Sequence, residues 1–565
     1  MKIVKGQPFP LGVEKKENAV NFSVAVPAGQ DVHLLLYKED SIQPEEKVAM
    51  DIAIGDVRCI SLEEMDRLFH SYNYEVDGEV FIDPYVKDLY GKSVWGEKKE
   101  KSRHEIRGKI CAEDYDWGDD RCLELPYEDV IAYSLHVRGF TRDPHSGVQE
   151  KGTFEGVMEK IPYLKELGIN QIHCMPVYEF EECTEPVNYW GYGPAYYFAP
   201  KNAYSAQGNG SKSLKDLVKA LHKAGIEIVL EMPFDESVPK QLIVDCLRYY
   251  VMEYHIDGFV CNHFIAPMEV LYSDPYLKNA KIMKHHTEFK DTMRRFLKGD
   301  AGEVYPFIYW LHHLSGKDGI FNYVTSHSGF TLNDLVSYNE KHNVLNGENN
   351  RDGSDYNDSW NCGTEGPTQY NEIVALRKNQ VRNAFALMLL SQGTPCILAG
   401  DEWGNSQLGN NNVYCQDNEL GWLDWEKFPY HHDLFEYVKS LIKLRKSYKV
   451  FHPSKEFCGK DMKNCGIPDR SYHGEEAWKA DFSWDSRRVG VYYHGEMEDI
   501  YVAYNMHWEE GIFALPKLPD QKRWYQIAST QNGIFDVKEI IDNQQSQTVM
   551  PRTIAVFAGK RSDET

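Results

Sequence analysis

The chain has 565 residues, which suggests about three or four domains, and 42% of them are hydrophobic, enough to bury more than one core. It carries 62 Lys and Arg against 86 Asp and Glu, so the formal charge is −24, and we expect no nucleic-acid partner because a phosphate backbone attracts basic surfaces. The aromatic content of 13% and the lack of low-complexity tracts exclude a disordered chain.

The N-terminus and the cysteines bear on location and cofactors. Pro8 and Pro10 interrupt the apolar run that a secretory leader needs, and no later segment reaches the length of a membrane span. The twelve cysteines are scattered, with no CxxC pair and no histidine at zinc-finger spacing. We therefore expect a cytoplasmic protein with reduced, mostly structural thiols, no membrane partner, no metal and no cofactor.

The predicted elements begin with β-strands. Residues 19–37 form two alternating β-branched and aromatic runs that are broken at Pro27, and residues 72–86 have a similar pattern. Such short alternating runs predict an N-terminal β-sandwich over residues 1–115.

Short apolar strands alternate with amphipathic helices in the middle of the chain. Strands are predicted at 130–137, 168–177, 226–232 and 256–261, and helices at 157–167, 214–224 and 240–254. This alternation predicts a parallel sheet, and its length favours a (β/α)₈ barrel over residues 125–465. Strands without helices return at 488–493, 500–505 and 548–557, which predicts a C-terminal β-sandwich over residues 470–565. The fold class is therefore multidomain α/β.

Long strings near the predicted strand ends resemble a known family. They are NYWGYGP (188–194), FAPKNAY (198–204), DGF (257–259), NYVTSHSGFTLNDLVSYNEKHN (322–343), NGENNRDGSDYNDSWNCGTEGP (346–367) and SQGTPCILAGDEWGNSQLGNNN (391–412). They are similar to strings of the isoamylase-type glycogen debranching enzymes, which belong to the α-amylase family of glycoside hydrolases. PFPLG, NFSV and DPYVK near the N-terminus resemble that group's carbohydrate-binding-like module. The resemblance implies the three-domain fold above, retaining hydrolysis of α-glucosidic bonds and an α-glucan ligand.

The same resemblance places altered residues at the catalytic positions. Retaining hydrolysis needs a carboxylate nucleophile and an acid/base carboxyl about 5–5.5 Å apart. The family's nucleophile strand ends in GFRFD and here reads GFVCN, so Asn262 replaces the nucleophile and Val260 its arginine. In the family's TAHDGFT string an aspartate follows the histidine, whereas here Ser328 follows His327. The acid/base strand, ending in KLIAEP, best matches KIMKH, which puts His285 at the glutamate position.

These replacements predict a protein that does not hydrolyse glucan. The neutral amide of Asn262 cannot form the glycosyl-ester intermediate that a carboxylate forms. We therefore expect a glucan-binding or regulatory protein, or a partner subunit of an active debranching homologue, since plant isoamylases include non-catalytic subunits. Fold alone does not confer activity.

An active hydrolase or transferase with relocated carboxylates is the alternative. The family signature DVVYNH reads EMPFDE here, which supplies Glu231, Asp235 and Glu236, with Glu269 nearby. Solvated or ion-paired acids at a strand end would give the same pattern, so the sequence leaves both interpretations open.

Four residues are predicted to contact sugar. Tyr192 resembles the family tyrosine that stacks on the sugar beside the cleavage point, and Trp190 is its neighbour. His327 matches a family histidine that contacts that sugar's hydroxyls, and His136 lies in the first-strand string YSLHVR. Packing at the barrel rim would also explain each of them.

A divalent metal at the barrel mouth is a third interpretation. His285, His286, His263 and Glu236 carry ligand types that suit zinc or a similar ion. Their spacing has no metal-site pattern, so hydrogen-bonded histidines are the simpler interpretation.

Overall fold

Two antiparallel sheets pack against each other at the N-terminal end of the chain, in a computed structural model that describes residues 1–561 apart from 17, 40, 66–67, 111–113, 315–318 and 497. The strands are β1 Lys2–Lys5, β2 Gly12–Lys16, β3 Ala19–Ala25, β4 Val32–Lys38, β5 Glu46–Ala49, β6 Ala53–Ile54, β7 Val57–Glu63, β8 Phe69–Val76, β9 Glu79–Phe81, β10 Leu89–Tyr90 and β11 Arg107–Lys109. One sheet has the order β1-β7-β3-β2 and the other β10-β11-β8-β4-β5. Val20 and Phe22 of the first share a core with Leu34 and Leu36 of the second.

A closed barrel of parallel strands follows. Its strands are β12 Ala132–Leu135, β13 Gln171–Cys174, β16 Glu227–Met232, β17 Gly258–Cys261, β18 Lys281–His285, β19 Ile320–Asn322 and β20 Thr394–Leu398, and a hairpin of β14 Tyr178–Phe180 and β15 Ala195–Pro200 interrupts them. Side chains alternate across the barrel wall, because Val229 and Val260 pack inside it while Ile228 and Phe259 pack against the outer helices.

Helices surround the barrel. They are α1 Val137–Thr141, α2 Phe154–Glu159, α3 Ile161–Leu167, α4 Gly210–Lys223, α5 Lys240–Tyr254, α6 Met268–Ser273, α7 Thr287–Lys298, α8 Val304–His312, α9 Leu332–Leu335, α10 Asn371–Leu389 and α11 His432–Ser447. The single helix predicted at 157–167 is wrong, since α2 ends and α3 begins just before Pro162, whose ring nitrogen cannot donate a helical hydrogen bond. None of the helices in the described residues has the length and apolarity of a membrane span.

The predicted parallel barrel is confirmed, but in the described part of the chain seven strands close it instead of eight. β18 pairs with β17 on one side and with β19 on the other, and β20 pairs with β12 to complete the ring. Because barrel diameter grows with strand number, seven strands leave a narrower interior than eight.

The C-terminal part returns to antiparallel sheets. Its strands are β21 Arg470–His473, β22 Arg488–His494, β23 Asp499–Asn505, β24 Gly511–Ala514, β25 Arg523–Ser529, β26 Gly533–Ile540, β27 Ser546–Val549 and β28 Thr553–Lys560. The larger sheet has the order β21-β22-β23-β28-β25-β26, and β24 pairs with β27. The single strand predicted at 548–557 is wrong, because a turn containing Pro551 and the positive-φ residue Arg552 separates β27 from β28.

Candidate functional site

The parallel strands bring the predicted catalytic positions to one rim of the barrel. Glu231 lies near the end of β16, Asn262 directly follows β17, and His285 is the last residue of β18. Ser328 lies on the loop that follows β19. This rim, at the carboxyl ends of the strands, is where barrel enzymes place their chemistry.

The side chains at these positions make local contacts that need no charge. The Oδ1 atom of Asn262 accepts a hydrogen bond of 2.9 Å from the backbone N–H of Phe264, which forms an Asx turn. The hydroxyls of Ser326 and Ser328 lie 3.4 Å apart. Asn262 and Ser328 are exposed, and neither side chain can ionise as an acid.

A hydrogen-bonded network joins Glu231, Tyr192 and His327 at the mouth of the barrel. The Tyr192 hydroxyl lies 2.6 Å from Glu231 Oε1 and 2.6 Å from His327 Nε2. The hydroxyl donates its one proton to the carboxylate, so His327 Nε2–H must donate to the tyrosine oxygen. The Nδ1 atom of His327 is then an acceptor, and it is buried without a hydrogen-bond partner among the described residues.

Burial shifts the pKa values of Glu231 and His327, the two titratable groups in this hydrogen-bonded network. It raises the pKa of Glu231, opposed by His285 and by the Tyr192 hydroxyl. Burial also lowers the pKa of His327 to about 4. His327 is therefore neutral at neutral pH, in agreement with the tautomer that the hydrogen bonds require.

The two remaining predicted binding residues face protein. Trp190 is 6% exposed and its ring meets the His327 ring edge-on at 5.0 Å. His136 caps α1 by accepting from the backbone N–H of Gly139, and its Nε2 lies 3.0 Å from the carbonyl oxygen of Tyr189. Burial lowers the pKa of His136 to about 3. Both residues thus support the rim through protein contacts.

The cavity that His327 lines is small. Its volume is about 50 Å³, and Ser134, His136, Trp190, His327 and Asn405 are among its lining residues. Pockets that hold small molecules usually measure roughly 300–1,000 Å³. This space fits water and excludes a sugar ring.

The other predicted acids are exposed and do not belong to the network of Glu231, Tyr192 and His327. Asp235 is exposed, and its Oδ1 accepts from the backbone N–H and the hydroxyl of Ser237. Glu236 and Glu269 are also exposed. In the residues that the structure describes, no group of three or more His, Cys, Asp or Glu has the geometry of a metal site, so the four residues of the metal interpretation do not converge.

The hydrogen bond from Tyr192 to Glu231 was not predicted. Glu231 was predicted as a relocated catalytic acid and Tyr192 as a residue that stacks on sugar, whereas in the structure they are hydrogen-bond partners. The available signal was the change from Asp to Glu at the start of the EMPFDE string, which lengthens that side chain by one methylene.

Two adjacent carboxyls are buried behind the mouth. Asp401 accepts from the backbone N–H of Leu332 and from the hydroxyl of Thr325. Glu402 accepts from the hydroxyls of Tyr133 and Tyr163. Burial raises the pKa of Asp401 to about 8 and also raises that of Glu402. The folded protein therefore holds Asp401 protonated at pH values where the unfolded chain ionises it.

This pKa shift predicts that the variant Asp401→Asn is more stable than the wild type by an amount that grows with pH. The folded-state pKa of Asp401 is raised from near 4 to about 8, so its contribution to stability is complete below pH 4 and is lost as pH rises to 8. Asparagine mimics the protonated acid, because its amide can accept from Leu332 and donate to Thr325. Between pH 5 and pH 8, urea unfolding should show the variant gaining about 3 kcal/mol relative to the wild type. A difference that is constant with pH would contradict this.

Known proteins are similar to this chain over most or nearly all of its length. The alpha-amylase catalytic-domain family matches residues 134–259. Isoamylase 3, chloroplastic, of Oryza sativa subsp. japonica is 30% identical over 94% of this chain and 83% of its own length. The glycogen operon protein GlgX homologs of Haemophilus influenzae and Mycobacterium tuberculosis are 30% and 27% identical, covering 78% and 98% of this chain and 84% and 96% of their own lengths.

Solved structures share the fold at lower identity. A GBS pullulanase SAP in complex with maltotetraose superposes with a TM-score of 0.76 at 16% identity, covering 99% of this chain and 88% of its own. An apo pullulanase of Paenibacillus barengoltzii gives a TM-score of 0.76 at 19% identity, covering 98% and 95%. These similarities extend across the N-terminal sheets, the barrel and the C-terminal sheets.

Proposed function

Since the chain belongs to the isoamylase and GlgX family of glycogen debranching proteins, within the α-amylase group, we propose that it binds α-glucan without hydrolysing it. One observation carries the proposal. Asn262, His285 and Ser328, which the sequence matches to the family's nucleophile, acid/base and third carboxylate, lie at the carboxyl ends of the barrel strands or on the loops that follow them, and none of them carries a carboxyl group.

The relocated acids offer a weaker route to hydrolysis. A retaining mechanism needs two carboxyl groups about 5–5.5 Å apart, one of them ionised as the nucleophile. Glu231 lies at the mouth, but there it accepts from the Tyr192 hydroxyl and lies 3.9 Å from His327 Nε2. Burial raises its pKa, which weakens it as a nucleophile.

Glucan is the ligand that the family supports. The related pullulanases were solved with maltotetraose or maltose bound, which indicates the ligand class of those proteins. On this chain, Phe264 follows the nucleophile position by two residues and is 98% exposed. An exposed aromatic ring at the rim offers the flat apolar face on which a sugar ring can stack. We therefore place the glucan across the outer rim, above the filled interior.

Affinity electrophoresis in gels containing glycogen tests this proposal. The wild-type protein should be retarded, and Phe264→Ala should weaken the apparent affinity by about five- to tenfold, the equivalent of one stacking contact. Tyr276→Ala is the matched control, because Tyr276 is 56% exposed and lies on the loop that enters β18 at the opposite end of the barrel. Absence of retardation of the wild-type protein would refute glucan binding. Equal effects of the two variants would refute the rim as its location.

The partner-subunit version of the proposal has its own readout. An active debranching homologue mixed with this protein should show a changed rate on branched glucan, and the two should co-elute. Unchanged activity and separate elution would leave glucan binding as the function and remove the partner role.

A further inference from the structure

A cysteine, a histidine and an aspartate are aligned in the C-terminal part of the chain, outside the barrel. The Cys465 Sγ atom lies 3.6 Å from His494 Nε2, and His494 Nδ1 lies 2.7 Å from Asp499 Oδ1. Cys465 is exposed on the loop before β21, whereas His494 ends β22 and Asp499 begins β23. A nucleophile, a base and a group that orients the base thus stand in hydrogen-bond contact.

Asp499 fixes the protonation of the imidazole. Its side chain is fully buried, and it also accepts from the Tyr492 hydroxyl at 2.6 Å and the Lys522 ammonium at 2.6 Å. Although burial opposes ionisation, the bonds from His494, Lys522 and Tyr492 lower the pKa of Asp499 to about 2. Because this carboxylate only accepts, His494 Nδ1 must carry the proton, and the Nε2 lone pair faces the thiol.

Two charged groups border the pair of Cys465 and His494. The Lys463 ammonium lies 3.4 Å from the same His494 Nε2 and is anchored at 2.5 Å on the carbonyl oxygen of Gly495. Asp461 Oδ1 lies 3.7 Å from Cys465 Sγ, but its carboxylate accepts from the backbone N–H groups of Gly466, Cys465 and Lys463. The Cys465 thiol thus lies against an imidazole nitrogen that can accept its proton, and an ammonium lies beside that same nitrogen.

We propose that Cys465 is a modification site that forms a mixed disulfide with a low-molecular-weight thiol. His494 Nε2 accepts the proton of Cys465, and the thiolate attacks one sulfur of a small disulfide RSSR. The new protein–sulfur bond forms as the S–S bond of RSSR breaks, and the leaving RS⁻ takes the proton from His494. One thiol and one disulfide thus become a mixed disulfide and one free thiol, RSH, with no other oxidant.

The same loop contains its own control thiol. Cys458 is also exposed, but its Sγ lies 3.3 Å from the Asp469 carboxylate and 3.6 Å from the sulfur of Met462. Asp469 accepts from the backbone N–H groups of Cys458 and Gly459, much as Asp461 does beside Cys465. The two thiols therefore share exposure and a carboxylate neighbour, and they differ in the imidazole that Cys465 contacts.

Incubation of the whole protein with oxidised glutathione tests the proposal. Trypsin cleaves after Lys460 and Lys463 and so places Cys458 and Cys465 on separate peptides, whose glutathionyl adducts mass spectrometry can quantify. Cys465 should react at least tenfold faster than Cys458 at pH 7.5. Equal initial rates in the wild-type protein would overturn the proposal without any variant.

Variants distinguish proton acceptance by His494 from the simple exposure of Cys465 as the cause of its reactivity. His494→Gln should slow the reaction of Cys465 to the rate of Cys458 and leave Cys458 unchanged. Lys463→Met, at an exposed position, should slow Cys465 severalfold, and it provides the test should His494→Gln fail to fold by circular dichroism. A folded His494→Gln protein with the wild-type rate at Cys465, or a Lys463→Met protein with the wild-type rate, would contradict the proposed roles.

Discussion

Glycogen, amylopectin and pullulan should release no reducing sugar above a buffer blank when incubated with this protein. The resemblance to the family predicts Asn262, Ser328 and His285 at the positions of three carboxyl groups, and none of them can form a glycosyl ester as a carboxylate does. Loss of a central catalytic group alone lowers turnover by roughly four to six powers of ten. With all of them replaced, the expected rate lies below detection in a reducing-sugar assay.

The control for this prediction is an active debranching homologue at the same concentration on the same substrates. Sugar release that scales with this protein would contradict it. If that release disappeared in Glu231→Gln or Glu236→Gln, the relocated-carboxylate mechanism would be established. Tyr192→Phe would then be informative too, since the Tyr192 hydroxyl is the group hydrogen-bonded to Glu231.

Much of the fold could be predicted because each element has a local cause in the sequence. The helix over 240–254 was predicted at the bounds that α5 has, and the strand over 226–232 differs from β16 by one residue. The errors had local causes as well, since Pro162 and Pro551 interrupt elements that apolar periodicity alone extends. The predicted number of barrel strands was eight, whereas seven close the barrel in the described residues, because β18 pairs with both β17 and β19.

The site was less accessible to sequence reasoning. Strand-end strings located Asn262, Ser328 and His285 on the rim because parallel strands end on the same side of a barrel. They did not indicate that Tyr192 would bind Glu231, since these residues lie 39 positions apart and meet only through tertiary structure. The array of Cys465, His494 and Asp499 was missed for the same reason, because it joins a loop to two strands.

Restoring three family residues should give a less stable and still inactive protein. The variant combines Val260→Arg, Asn262→Asp and Ser328→Asp. Val260 is 4% exposed and packs inside the barrel with Val229, Met283 and Phe321, so an arginine there must be buried among apolar side chains. A buried, poorly paired charge costs about 3–5 kcal/mol. We expect thermal melting to fall by roughly 5–10 °C and branched-glucan hydrolysis to remain at the blank.

The matched control is the double variant Asn262→Asp with Ser328→Asp. Its two positions are exposed, so this variant should melt close to the wild type.

Adding His285→Glu to the triple variant should not restore activity either. β18 passes into α7 after the single residue His286, so little loop follows it to carry an acid/base group into the mouth. In the described part of the chain, β18 also pairs directly with β17 and β19, which leaves seven strands to hold such a group where the family is expected to have eight. Strong hydrolysis by the triple variant would mean that an acid/base carboxyl already stands at the mouth and that His285 does not occupy its position.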